Sequence, residues 1–267
     1  MMGVGVIGAG RMGQPIIGHL VRKGFRTQVY DIDAGKRASV EKRGAQWAAD
    51  PGSLAAASDV LLVCVGYDEE LRALFPRLAP AVRPSAILAV LSTVHPKTMQ
   101  ELAASCAGRG LTVVDATMCR GGRAADEGTL LCFVGGESAT VARLRPVLGA
   151  FASDIVATGA VGSAQVAKAA NNLVLWACLV ADHEALALAR SYGVDVEQLR
   201  QALGISSAAN DALAKWGTQT MAWAEDDMAI VAEMARERGL KLPQAEVTRE
   251  ICRALKPRRY QLDKYGR

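Results

Sequence analysis

The sequence predicts an α/β fold: a doubly wound parallel sheet followed by an all-helical domain, the two joined through one long helix. Three observations carry this expectation. Short apolar runs alternate with helix-length intervals through the first part of the chain. A stretch from 163 to 192 then contains neither Gly nor Pro and is rich in Ala, Leu and Val. Everything after it reads as shorter helices. At 51% hydrophobic and 22% charged, the chain has enough apolar mass for a buried core and is not a disordered polymer.

The apolar runs fall at 3–7, 28–31, 60–65, 86–91 and 111–114, each bounded by Gly, Pro, Asp or Ser. Runs that are apolar on both faces suit a parallel sheet covered by helices. Two more strand-like runs follow, at 130–134, closed by Gly135-Gly136, and at 155–157. The 163–192 stretch predicts a helix of about thirty residues, roughly 40 Å long. Its middle, LVLWACLVA, is apolar all round and is expected to be buried on every side. Helices are expected next at 195–203, 206–216, 226–238 and 243–255, separated by Gly193, Gly204, Gly217 and the 239–243 segment. A boundary near Val161 divides a sheet domain, 1–161, from a helical domain, 162–267.

Charge and cysteine usage narrow the function classes. The net charge of +4 is 31 basic minus 27 acidic side chains, and the last twelve residues, KPRRYQLDKYGR, hold that whole excess. A neutral body argues against nucleic acid or a membrane surface as partner, since both need a basic face on the folded domain. The six cysteines stand singly, with no C-x-x-C and no paired His, so neither a metal site nor a redox dithiol is expected. Free thiols point to a reducing, cytoplasmic setting. The opening MMGVGVIGAG lacks the basic and long apolar regions of a signal peptide. The longest uninterrupted apolar stretch, 173–181, is shorter than the roughly twenty residues of a membrane span.

Gly8-Ala9-Gly10-Arg11-Met12-Gly13 is G-x-G-x-x-G, placed after the first strand and opening a helix that runs to Lys23. A second strand then ends in Asp31, 18 residues past the last glycine. This is the full context of a dinucleotide fingerprint and makes the sheet domain Rossmann-type. Gly8 permits the tight turn, Gly10 lets the backbone approach a pyrophosphate, and Gly13 allows close helix–strand packing. The helix N-terminus adds partial positive charge toward the phosphates. Asp31 would accept from a ribose 2′-OH and repel a 2′-phosphate, so NAD is preferred. Arg37 is within reach of a 2′-phosphate, which keeps NADP open. Cys64 and Val65, ending the third run, and Thr93, after the fourth, are assigned to the same cofactor edge.

Gly159 opens the run GAVGSAQVAKAANN, which leads into the long helix and carries Lys168 and Asn172 four residues apart on one face. A lysine flanked by Val166, Ala167, Ala169 and Ala170 loses solvation, which suits a proton-exchanging group; a lysine snorkelling from an apolar helix fits the spacing equally well.

At these motifs the sequence resembles the β-hydroxyacid dehydrogenase family, of which 3-hydroxyisobutyrate dehydrogenase is a member. The family's G-x-G-x-M-G element matches Gly8 to Gly13, its G-x-x-G…K-x-x-N-N motif matches Gly159 to Asn172, and its Ser-Thr beside the nicotinamide matches Ser92-Thr93. Its Asp-led, glycine-rich substrate loop looks like Asp115 to Gly128. The resemblance implies hydride exchange between a nicotinamide and the β-carbon of a small β-hydroxy acid or the matching oxo compound. Lys168 would give or take the oxygen's proton and Asn172 would hold both in place. Backbone N–H groups around Cys119, Arg120, Gly121 and Gly122 would bind the carboxylate of a small anionic substrate. Related imine reductases carry other residues at the lysine position, so Lys168 argues for the alcohol/carbonyl reaction. The alternatives are an NADPH-dependent imine or small-aldehyde reductase, and a catalytically weak NAD-binding regulatory protein.

The chain departs from the family pattern in three places. Cys119 and Arg120 stand where the loop has Ser and Gly, and Arg120 could itself grip a carboxylate. Asp226 stands where a late helix usually has Lys, beside Asp227 on the family aspartate. The 204–225 segment is shorter than the family's. Among other residues, His95 is expected to be a loop histidine, His19 to pack or face water, and His183 to lie too far along the helix to act with Lys168. Trp176, Trp216 and Trp223 are expected in the core or at subunit contacts. The long apolar helix and the small helical domain predict a homodimer.

Overall fold

The computed structural model describes residues 2–265 except 109, 219 and 258. Two of the cations of the expected basic tail, Arg258 and Arg267, lie outside the described residues. The chain divides into two compact units, Met1–Lys168 and Ala169–Arg267, with the division inside the long helix.

The first unit is built on an eight-stranded sheet. Strand β1 (Gly3–Ile7) leads through helix α1 (Gly13–Arg22) to β2 (Arg26–Tyr30), and α2 (Arg37–Lys42) leads to the short β3 (Gln46–Trp47). Helix α3 (Pro51–Ala57) then crosses to β4 (Val60–Val63), α4 (Asp68–Leu78) to β5 (Ile87–Val90), and α5 (Pro96–Ser105) to β6 (Thr112–Cys119). The last part runs α6 (Gly121–Glu127), β7 (Leu130–Gly135), α7 (Ser138–Leu148) and β8 (Ala152–Gly159). The strand order is β3-β2-β1-β4-β5-β6-β7-β8, so connections reverse direction between β1 and β4.

Every residue of β1, β4 and β5 is buried, which is why these runs are apolar without alternation. One face packs Ile16, Ile17 and Leu20 of α1 with Val141, Leu144 and Val147 of α7. The other packs Leu54 of α3, Leu71 and Leu78 of α4, and Met99 of α5. Each fully buried Leu in these layers contributes about 1.5–3 kcal/mol of transfer free energy.

The expected doubly wound parallel sheet is present, with one antiparallel pair added. β7 pairs antiparallel to β6, with Cys119 opposite Leu131 and Asp115 opposite Gly135, and β8 then runs parallel to β7. The reason is the length of the link. A parallel crossover takes a dozen or more residues, whereas α6 has 7 and is bounded by Arg120 and Gly128, both left-handed. The chain therefore returns from the same end. A second feature follows from register: Val90, the last residue of β5, pairs with Asp115, so residues 116–119 of β6 extend past the carboxyl edge of β5.

Three smaller differences have local causes. β3 is only 2 residues and left no periodic signal. β8 is 8 residues long where the sequence predicted three, because an edge strand with mostly exposed side chains carries no apolar pattern. The helix expected at 206–216 shrinks to α10 (Asp211–Ala214), since Asn210 is extended and caps it through the Leu213 N–H.

The second unit is helical. Helix α8 (Ser163–Ser191) begins in the first unit and continues here, followed by α9 (Val196–Leu203), α10, α11 (Ala224–Glu237) and α12 (Pro243–Leu255). Its core sets Trp176 and Leu179 of α8 against Met228 and Val231 of α11 and Cys252 and Leu255 of α12. Trp176 Nε1 donates to Asp227 Oδ2 at 3.1 Å, so this tryptophan is core, as expected, and the family-matched aspartate satisfies it. The expectation that the middle of α8 is buried on every side fails at Val174, which is 63% exposed. By length and composition alone, α8 is long and apolar enough to cross a membrane.

Candidate active site

The site assembles along the carboxyl ends of the central strands, where ligands of open α/β sheets bind. At the end of β1 the chain turns through Gly8 with φ +99°, and the Gly8 N–H donates to Tyr30 O at 2.9 Å. A Cβ on Gly8 would run into the carbonyl oxygen of Cys64, and one on Gly13 into that of Gly8. Gly10 differs: a Cβ there would meet only open space. Two glycines are therefore required by the protein's own backbone, while the third leaves room for something else. The start of α1 at Met12 carries no side-chain cap and no acid in its first turn, though Pro15 has no N–H and the Gln14 N–H donates to Gly10 O at 3.1 Å, so any anion would be met by the turn before them.

Asp31 follows β2 and is 7% exposed. Its Oδ2 accepts from the Ala9 N–H at 2.7 Å and its Oδ1 from the Asp33 N–H at 2.9 Å. Lys36 Nζ reaches both oxygens, at 3.1 and 3.0 Å. Burial pushes this carboxyl up, but the Asp33 and Ala9 N–H groups and the Lys36 ammonium together hold it below the ordinary range. Arg37, the residue expected to reach a 2′-phosphate, instead pairs with Glu41 at 2.8 Å. Ile32, next to Asp31, is 91% exposed, an apolar side chain presented to solvent at a strand end. Arg11 forms a bidentate pair with Asp126 of α6 at 2.8 and 2.6 Å, tying the glycine loop to that helix.

Cys64 and Val65 follow β4. The Cys64 thiol is pushed up to about 12 by burial and is no nucleophile near neutral pH. Val65 N–H donates to Ser92 Oγ at 3.0 Å and Ser92 Oγ donates to Val65 O at 2.9 Å, joining the ends of β4 and β5. Thr93 follows directly, flanked by hydrogen bonds from Gln165 to Ser92 O at 2.9 Å and from the Val94 N–H to Gln165 at 3.0 Å.

Helix α8 starts over β6. Asp115, fully buried, accepts the Gly162 N–H at 2.8 Å and the Gln165 N–H at 3.0 Å. Burial raises its pKa and those N–H groups pull the other way without cancelling it. Thr117 Oγ1 donates to Ala164 O at 3.0 Å. One turn on, Lys168 Nζ donates to Met118 O at 2.8 Å, at the end of β6 that projects past β5. Asn172, a further turn along, is 2% exposed. Its Oδ1 accepts from Asn171 Nδ2 at 3.1 Å, whereas its own Nδ2 has no partner among the described residues.

Met118 is followed by the expected substrate loop. Cys119 is buried, Arg120 has φ +80° and Gly121 φ +78°. The departure at Arg120 thus falls on a backbone conformation that glycine adopts without strain. The Arg120 guanidinium is already engaged: its Nη1 lies 2.6 Å from Asp154 Oδ2, 2.9 Å from Ser153 Oγ and 3.1 Å from Thr129 O. Asp126 and Asp154 are each held low, chiefly by their arginines.

The histidines have structural work. His95 caps α5 by accepting the Lys97 N–H at 3.2 Å, His19 packs its Nε2 against Ala125 O at 3.0 Å, and His183 belongs to the second unit. Reading the sequence missed Lys36 and Gln165. A cation five residues after Asp31 was visible, as was a lone polar residue in an apolar helix start, but their partners are distant in sequence or side-chain specific.

Residues 3–183 match the NAD binding domain of 6-phosphogluconate dehydrogenase, and residues 162–264 match the pattern described as NAD-binding of NADP-dependent 3-hydroxyisobutyrate dehydrogenase. The chain is 32% identical to 3-hydroxyisobutyrate dehydrogenase of Pseudomonas aeruginosa over 80% of this chain and 72% of that protein. It is 28% identical to 2-(hydroxymethyl)glutarate dehydrogenase of Eubacterium barkeri over 93% of this chain and 87% of that one. In fold it is similar to Mycobacterium tuberculosis 3-hydroxyisobutyrate dehydrogenase with L-serine, at a TM-score of 0.89 and 23% identity, covering 97% of this chain and 95% of that chain. An imine reductase from Myxococcus stipitatus shares the fold at a TM-score of 0.72 and 20% identity, over 96% of this chain and 94% of that chain. With its glycine loop and its Lys168 helix both inside those matched segments, the chain belongs to the β-hydroxyacid dehydrogenase family.

Proposed function

We propose that the chain is an NAD(P)-dependent oxidoreductase that exchanges hydride with the β-carbon of a small β-hydroxy acid or the matching oxo compound. One observation carries this reading: Lys168 Nζ is held by Met118 O at 2.8 Å, beside the start of the 119–122 loop. An ammonium has three donors, so two remain after that bond. In the reducing direction Lys168 gives a proton to the substrate oxygen; in the oxidising direction it takes the hydroxyl proton. Asn172 Nδ2 donates to the same oxygen and keeps it facing Lys168. Backbone N–H groups of the 119–122 loop receive the substrate carboxylate, while the Arg120 guanidinium stays with Asp154.

The residues present fit a dinucleotide. Gly10 leaves open space against the helix start, and Asp31 stands where a ribose diol would be read. The bound nicotinamide supplies the hydride acceptor or donor. Asp31 favours NAD, and Lys36 softens the repulsion toward NADP. Lys168 argues against the imine-reductase reading.

The chain is also proposed to work as a homodimer without membrane or nucleic acid. Val174, Leu188 and Tyr192 are 63%, 62% and 82% exposed, and lie with Ala170, Ala181 and Ala185 at spacings of three, four and seven, which keep one helix face along α8 and its end. A second copy laid along this stripe would cover it. Asn172, Asp182 and His183, buried on the same helix, suit a protein interior and would be penalised in lipid. Six cysteines, none in a disulfide, fit a reducing, cytoplasmic compartment. Light scattering on the purified chain tests the dimer.

The enzymatic test is NAD- and NADP-linked oxidation of a panel of β-hydroxy acids by the wild type and Lys168→Ala. Turnover is expected to fall by about 10²–10⁴-fold in the variant with NAD binding retained. Tight NAD binding with no turnover of any hydroxy acid by the wild type would favour the regulatory reading instead.

A further inference from the structure

Gln165 lies on the first turn of α8, three residues before Lys168, and is 1% exposed. Its side-chain amide is used at both ends. Nε2 donates to Ser92 O at 2.9 Å, and Oε1 accepts the Val94 N–H at 3.0 Å. The residue between those two is Thr93. β5 has ended at Val90 and α5 does not begin until Pro96, so no ladder holds this backbone. A single planar amide takes the place of a neighbouring strand and grips the chain on either side of Thr93.

The clamp is anchored on both sides. Ser92 Oγ bonds the Val65 N–H and C=O beyond β4, on the sheet side of the segment. On the helix side, the Gln165 N–H donates to Asp115 at 3.0 Å, and Thr117 holds Ala164 O at 3.0 Å. The turn of α8 that precedes Lys168 is thereby fixed to β6, and the Gln165 side chain carries that fixation across to the end of β5. An apolar side chain of the same length would leave Ser92 C=O and Val94 N–H unpaired in the interior.

We propose that Gln165 is a positioning residue for hydride transfer, setting Thr93 at the crest of the sheet against Lys168 on α8. It touches neither substrate nor cofactor and acts through the backbone of the 92–94 segment. The proposal rests on the dehydrogenase reading above. The Thr93 backbone follows β5, which stands in the sheet between β1, with the 8–13 loop, and β6, on which Lys168 is held, so its height would bear on where a bound nicotinamide is presented to Lys168. Displacements of an ångström cost on the order of 10²-fold in rate.

Two variants test it. Gln165→Met keeps the length and removes both hydrogen bonds. Its kcat is expected to fall by about 10–100-fold while the Kd for NAD stays within about threefold of wild type, because Asp31 and the glycine loop are untouched. The isotope effect on kcat from substrate deuterated at the β-carbon should rise as hydride transfer becomes limiting. Gln165→Glu is the conservative variant. Its neutral carboxylic acid can donate to Ser92 O and accept from Val94 N–H, whereas the carboxylate sets an acceptor against Ser92 O. Its activity relative to wild type should therefore decline as pH rises.

If Gln165→Met does not fold, the pH profile of the Glu variant decides alone. Wild-type kcat and isotope effect in both variants, even with a lowered melting temperature, would overturn the positioning role and leave the dehydrogenase reading intact. A wild type that binds NAD but turns over no β-hydroxy acid would remove both together.

Discussion

Asp31 and Lys36 show how one side chain changes the meaning of a motif. An acid at the end of β2 reads as a device against a 2′-phosphate. Here all the hydrogen-bonding capacity of that acid is taken up by two backbone N–H groups and one ammonium. A ribose diol has to displace Lys36, and a 2′-phosphate meets a neutralised pair. Lys36→Ala is expected to raise the ratio of NADP to NAD dissociation constants by about five- to tenfold, a Coulomb effect discounted for a partly exposed ammonium. Arg37→Ala should leave that ratio unchanged, since its guanidinium belongs to Glu41. Titration of both cofactors by intrinsic fluorescence quenching distinguishes the two, and an unchanged ratio in Lys36→Ala would refute the neutralised-pair reading. Both residues were legible as types; which of two adjacent cations faces Asp31 depends on the 3₁₀ turn at Ala34–Lys36, capped by Asp33.

At the scale of elements, the second unit contains a titratable pin. His183 on α8 is 1% exposed and sits against Trp216 and Tyr260, with ring centroids 4.5 and 5.3 Å away. Its Nε2 accepts the Tyr260 N–H at 3.0 Å, so its Nδ1–H donates to Leu179 O at 2.7 Å and the ring is neutral. Burial pulls its pKa below the ordinary 6.5, against the opposing pull of the Leu179 carbonyl. The sign of the linkage follows: above 6.5 both folded and unfolded forms are neutral and stability is flat. Below it the unfolded chain takes up a proton that the folded chain refuses, so stability falls with pH until the lowered folded pKa is reached. Thermal melts between pH 7.5 and about 5 should show this decline, and His183→Gln should flatten it. An equal slope in the variant would assign the decline to other groups.

Element by element, legibility follows periodicity. The strands buried on both faces, β1, β4 and β5, were plain in the sequence because their environments are uniform. β8 was only partly visible, since five of its eight residues are exposed and their identities are unconstrained. The direction of β7 was not visible at all. It depends on the length and handedness of the link through Arg120 and Gly128, not on the composition of the strand itself.

For the whole molecule, the exposed stripe on α8 makes association the central prediction. A long apolar helix with Val174 and Leu188 more than 60% exposed is expected to find a partner, and a second copy supplies an identical stripe. The wild type is expected to scatter as a dimer at micromolar concentration. Val174→Glu and Leu188→Glu should shift it to a monomer without a change in far-ultraviolet circular dichroism. A wild type that is monomeric at that concentration would end the dimer reading.

The sequence by itself determined the sheet domain, the glycine loop with its acid, and the helix that carries Lys168 and Asn172. Each is local: a period of burial, a turn that only glycine fits, or a spacing along one helix. Only the tertiary structure decided which groups those residues meet. It set Lys36 on Asp31, turned Arg120 to Asp154, hung Lys168 from Met118, and placed the Gln165 amide across Thr93. Those partners lie 5, 34, 50 and about 70 residues apart. Lys36 reaches Asp31 through the local 3₁₀ turn and Arg120 reaches Asp154 on β8, whereas the Lys168 and Gln165 contacts form because the end of β6 extends past β5 under the start of α8. That is a property of the packed sheet, which no single stretch of the chain records.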